Sequence, residues 1–147
     1  GNSVDTCPGT LSGVEVNGDG CSDVQAGLRE GRHTVSGMPF RFQSGQVEVD
    51  AELRQILEQI AAEMERDPEM ELEIRVYTDT LGPASANRQM SETLAETVRN
   101  FLLRRSADIG ATRLQAVGRG ESTGEEGPAN RVVFIVRSTG GGGDGGR

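Results

Sequence analysis

Lysine and tryptophan are absent from the 147-residue chain, tyrosine and histidine occur once each, and the longest aliphatic or aromatic run is Val132 to Val136. That run falls far short of the roughly 20 apolar residues that a membrane-spanning helix needs. Positive charge is scarce as well: the formal net charge is −8 and the pI about 4.7. This excludes the basic footprint expected of a nucleic-acid binder or of a protein held on anionic lipid. The single His33 has no acid or nucleophile in a catalytic context around it, so it is expected at the surface and the chain reads as non-enzymatic. Gly118-Arg119-Gly120 lacks the lysine and the following helix of a phosphate loop. No cofactor is implied. The chain starts Gly-Asn-Ser without a methionine, as a processed product or a fragment would.

The two cysteines, Cys7 and Cys21, sit in the polar, turn-rich residues 1–25. Close spacing in a segment with little core of its own is expected to give a disulfide in an oxidising compartment. Free thiols or half of a metal site are the alternatives, and one histidine with no third cysteine argues against zinc. Residues 26–34 read as a connector and 35–138 as the folded domain. The Gly-rich residues 139–147 form a low-complexity tail.

Within the domain the periodicities are regular. Met38, Phe40 and Phe42 alternate with Pro39 and Arg41 as a half-buried strand does, with Pro39 placing it at an edge or interrupting it. Asp50 can cap a helix running to about Arg66, with Leu53, Ile56, Leu57, Ile60 and Met64 on one face. Leu72, Ile74 and Val76 mark a second strand. A second helix spans about Ala86 to Arg105, its stripe made of Met90, Leu94, Val98, Phe101 and Leu102. Leu114 and Ala116 lie in a third strand. The stretch 131–137 is apolar on both faces and should be an interior fourth strand. The order β-α-β-α-β-β predicts a two-layer α/β (α+β) sandwich with helices on one face of a mixed sheet.

Thr78, Asp79, Gly82, Asn87, Met90-Ser91, Ala95, Gly118 to Glu121 and Asn130-Arg131 fall in an order and spacing that resembles the OmpA-like peptidoglycan-associated domain. The resemblance covers about Val35 to Arg137. It implies non-covalent binding of the diaminopimelate of peptidoglycan stems, an aspartate taking the ammonium and a helical arginine the carboxylate. Asp79 matches the first role, and Thr78, Asn87 and Arg131 complete the candidate site. The Leu-Ser-x-x-Arg-Ala motif, however, puts Leu94 where the arginine belongs, and Val76-Tyr77 replaces Gly-His. Leucine donates no hydrogen bond, so the site is expected to be degenerate, with Arg131 as a possible replacement donor. The other reading of Asp79, and the one the missing partner favours, is a cap on the turn before the second helix.

The first 25 residues resemble the thrombospondin type 3-like spacer that precedes some OmpA-like domains. Asn17, Asp19 and Asp23 follow the first positions of a calcium loop, but Ala26 stands where the bidentate glutamate is required. An Asx-rich turn closed by Cys7–Cys21 is the expectation, with calcium as the alternative. Two functional expectations follow from the resemblance. One is a structural module of the bacterial cell envelope (periplasm or outer membrane) or extracellular space, associating with copies of itself and retaining little peptidoglycan binding. The other is a peptidoglycan tether of an outer-membrane or periplasmic protein.

Overall fold

Asp50 accepts the backbone N–H of Leu53 at 2.8 Å and opens the helix α2, Ala51–Arg66. Four of the five residues on the apolar stripe behind that cap are buried outright, and Ile56 is half-buried. Leu53, Leu57, Ile60 and Met64 are each 0 % exposed. Each such side chain contributes about 1.5–3 kcal/mol by leaving water. The computed structural model describes residues 22–79, 82–121 and 128–138. Cys7, Cys21, Asn17 and Asp19, the bulk of the spacer-like segment and the Gly-rich tail lie outside the described residues.

The stripe belongs to a core that the main sheet and the second long helix share. The strands β4 (Glu71–Tyr77), β5 (Leu114–Gly120) and β6 (Arg131–Ser138) join β1 (Arg32–Ser36) in one mixed sheet of order β1-β6-β4-β5. β4 runs parallel to β5 and antiparallel to β6, which is also antiparallel to β1. β6 is therefore interior, as its two-sided apolar sequence requires. Register places Leu72, Ile74 and Val76 beside Val136, Phe134 and Val132, and these six join the core. The helix α3 (Ala84–Arg105) lies over β4 and β5 and sends Leu94, Ala95, Val98 and Leu102 into the same core. On the other face of the sheet, the Glu73 carboxylate pairs with Arg75 at 2.9 Å and Arg137 at 3.0 Å. A long-range clamp joins helix to sheet: Arg113 donates to the carbonyls of Met64 and Asp67 at 2.8 Å and of Met70 at 3.0 Å, closing the end of α2.

Three expectations need correction. Residues 26–34 are not a bare connector. Ser22 and Gln25 form a reciprocal capping box that starts the short helix α1, Asp23–Glu30, and the edge strand β1 follows at once. Asp23 is accordingly the first residue of a helix. The alternating stretch around Phe40 and Phe42 is likewise not a strand of the main sheet. β2 (Phe40–Gln43) pairs with β3 (Gln46–Val49) as a separate hairpin. Its turn holds Ser44 at φ 46° and Gly45 at φ 77°, the left-handed pair that a tight hairpin demands.

His33 is also not a plain surface residue. It is half-buried on β1 and shares a cleft with Asp23 of α1 and Glu52 of α2. Burial holds its imidazole below the usual range, opposed by the nearby Asp23 carboxylate. The folded pKa lies below the unfolded one, so the unfolded chain takes up the proton more readily. Stability is then undiminished above the ordinary imidazole value of about 6.5 and declines as pH falls from there through the lowered folded value. Urea unfolding between pH 7.5 and 5 should show a shallower decline in His33→Gln than in the wild type. Identical pH profiles for the two proteins would remove His33 from the account.

Candidate functional site

The parallel strands β4 and β5 both finish at the end of the sheet where α3 begins, and their last residues are tied together. The Thr78 N–H donates to the Gly120 carbonyl at 2.9 Å. The Gly120 N–H in turn donates to the Ser91 hydroxyl on α3 at 2.8 Å, and that hydroxyl donates to the Arg88 carbonyl at 2.8 Å. Ser91 thus links helix and strand while fully buried. One turn earlier, Asn87 is also 0 % exposed and donates from Nδ2 to the Glu121 carboxylate at 2.8 Å. Buried polar groups persist only when they are satisfied in this way.

Asn130, immediately before β6, completes the frame. Its Oδ1 accepts from the Thr78 hydroxyl at 2.9 Å and from the Asp79 N–H at 3.1 Å, while its own carbonyl accepts from the Gly37 N–H at 2.7 Å. The backbone of Asp79 is therefore held from outside the turn, and its carboxylate is left exposed at the end of the sheet. An exposed carboxylate on a fixed backbone can accept from an ammonium or guanidinium group. Among the described residues, no cluster of three or more His, Cys, Asp or Glu side chains could hold a metal ion.

The other partners are placed differently. Arg131 is 4 % exposed, its Nη1 donates to the Pro128 carbonyl, and its guanidinium carbon lies 3.8 Å from the centroid of the Tyr77 ring. Stacking of this kind fixes the orientation of the guanidinium. Leu94 is 0 % exposed and belongs to the hydrophobic core. The structure thus brings Thr78 and Asp79 together through Asn130, seats Asn87 against Glu121, and stacks Arg131 on Tyr77. Asn130, Ser91 and Glu121 were not assigned as site residues from the sequence. Their partners lie 29 to 52 positions away, and only the order of the motif marked them.

Comparison with known proteins agrees with this frame. The profile of the OmpA family matches residues 41–132, well over half of the chain. Outer membrane porin F of Pseudomonas aeruginosa is 29 % identical over 121 residues, which are 82 % of this chain and 33 % of the porin. The chain therefore spans about a third of that relative's length. The peptidoglycan-associated lipoprotein of Burkholderia pseudomallei superposes with a TM-score of 0.56 at 22 % identity, over 79 % of this chain and 94 % of the lipoprotein. A MotB-like protein of Desulfovibrio vulgaris gives 0.53 at 21 % identity, over 75 % of this chain and 83 % of that one. These two likenesses are of fold. The match along the sequence establishes that the chain belongs to the OmpA family.

Proposed function

We propose that this domain is a non-enzymatic module of the bacterial cell envelope that touches peptidoglycan through Asp79 and holds it weakly. The observation that carries the reading is the contrast between Asp79 and Leu94. The aspartate is exposed on a backbone fixed by Asn130, while the position matching the carboxylate-binding arginine is a fully buried leucine. An acceptor for the ammonium of a stem peptide is kept, and the donor for its carboxylate is replaced by core. Names of relatives support the class of ligand, one being a peptidoglycan-associated lipoprotein. Self-association would run through residues 1–25 and 139–147, nearly all outside the described residues, whereas exposed Asp79 and the names of relatives support tethering.

Loss of one partner from a desolvated charge pair typically weakens binding by about 2–5 kcal/mol. Titration with a diaminopimelate-containing muropeptide should therefore give saturation only at high ligand concentration, and Asp79→Ala should abolish what remains. Asp79→Ala should leave the melting temperature nearly unchanged, because the hydrogen bond to Asn130 comes from the backbone N–H. Tight wild-type binding would contradict the assigned loss. Weak binding unaffected by Asp79→Ala would place the contact elsewhere.

A further inference from the structure

Most arginines of the described residues are engaged. Arg66, Arg75, Arg88, Arg105 and Arg137 pair with carboxylates. Arg99, Arg113 and Arg131 donate to backbone carbonyls, and Arg29 and Arg119 also have partners. Among the described residues this leaves Arg32, Arg41, Arg54 and Arg104 without an ion pair or hydrogen bond. Three of these four line one groove of about 330 Å³, between the β2–β3 hairpin and the helices α2 and α3.

The placement follows from the fold. Thr97, Phe101 and Arg104 succeed one another along one face of α3, Arg54 stands in the first turns of α2, and Arg41 projects from β2. Phe101, Val47 and Val49 supply an apolar wall. The neighbouring Arg105 shows the ordinary alternative, since it reaches Glu58 of α2. Glu48 is opposite Arg41 in the hairpin register, yet no ion pair joins them. Three guanidiniums and one carboxylate give the groove a local charge of about +2 (3 − 1) in a chain whose net charge is −8. Like charges gathered in a groove repel one another until an anion enters.

We propose that this groove binds a phosphate-bearing anion. Three fork-shaped donors around one small volume match a tetrahedral group with three terminal oxygens better than a carboxylate with two. A dianionic phosphate would also balance the local charge. The acidic surface elsewhere disfavours adsorption to an anionic membrane, so the ligand class is a soluble phosphate or a single phosphorylated headgroup drawn into the groove. The groove shares no residue with the Thr78–Asp79 site, and this proposal stands apart from the peptidoglycan reading.

The test follows the arginine Nε–H resonances of the full chain by NMR while pyrophosphate is added at low salt. Arg41, Arg54 and Arg104 should shift together along one saturable isotherm, while the equally unpartnered Arg32 stays still. Arg54→Gln with Arg104→Gln should weaken binding roughly 25-fold, at about fivefold per exposed arginine. Both positions are exposed, so circular dichroism should show the fold intact. Equal movement of Arg32, shifts that never saturate, or succinate binding as well as pyrophosphate would overturn the proposal. Sedimentation with vesicles containing phosphatidic acid, whose phosphomonoester has three terminal oxygens, and with phosphatidylcholine vesicles separates the sources. Binding to the former that the double variant loses assigns a lipid headgroup; a pyrophosphate response without vesicle binding assigns a soluble phosphate. Vesicle binding without a pyrophosphate response counts against the groove.

Discussion

Leu94→Arg is expected to destabilise the domain more than Leu94→Ala, although it restores the residue that the family motif calls for. Leu94 is 0 % exposed and packs in the core cluster with Leu53, Ile74 and Val98. Truncation to alanine removes three buried carbons and leaves a cavity, which typically costs about 2–5 kcal/mol. Arginine at the same place is longer by three heavy atoms, so it overpacks the site, and it brings a charge as well. An uncompensated buried ion costs several kcal/mol even after the surroundings relax. Since domains of this size are stable by about 5–15 kcal/mol, either change takes a large share. Chemical denaturation should rank the proteins wild type, then Leu94→Ala, then Leu94→Arg. A Leu94→Arg protein that unfolds like the wild type and binds muropeptide tightly would show that the guanidinium escapes the core and reaches Asp79. In that case the position belongs to the site after all, and only its residue has changed.

The same leucine explains how far the sequence could be read. Periodicity placed Leu94 on the packed stripe of α3, where the structure buries it; the resemblance separately aligned the same residue with the family's helical arginine, because the stripe and the motif share a helix face. Elements with strong apolar patterns were legible as well. α2 has a capping aspartate and four fully buried residues at helical spacing, and β6 has apolar residues on both faces. The missed elements have weak patterns. β1 buries only Val35 of its five residues, as an edge strand can. α1 has eight residues with a glycine among them, so its capping box was the main clue. At the site, the difficulty is separation along the chain. Thr78 and Asp79 meet Asn130 across about fifty residues, and no local pattern reports such a contact. Buried Asn87 and Ser91 interrupt the apolar face of α3, and their burial makes sense only once Glu121 and Gly120 stand opposite. The arginine groove was invisible for a related reason. Arg41, Arg54 and Arg104 come from three elements, and only the docked hairpin brings them together.

Gly118→Ala should lower stability by at least about 3 kcal/mol, the upper end of what overpacking usually costs. A methyl group at Gly118 would stand 2.2 Å from the Glu92 backbone nitrogen and 2.5 Å from its Cα. Both are backbone atoms in the middle of α3, so no side-chain rotation can relieve the contact. Either the helix lifts from β5 or the strand bends away. Lifting α3 would stretch the Gly120 N–H bond to Ser91, the next tie along the same pair of elements. For about 100 residues, a loss of this size lowers the melting temperature by roughly 12–24 °C. Gly110→Ala is the control. No atom lies within 4 Å of a Cβ added there, and its φ of −83° suits any residue. It should be neutral or slightly stabilising, because alanine narrows the unfolded ensemble. Thermal melts of the two variants beside the wild type decide the matter. If Gly118→Ala melts within a few degrees of Gly110→Ala, the close seat of α3 on β5 is adjustable, and the frame that presents Asp79 is looser than its hydrogen bonds imply.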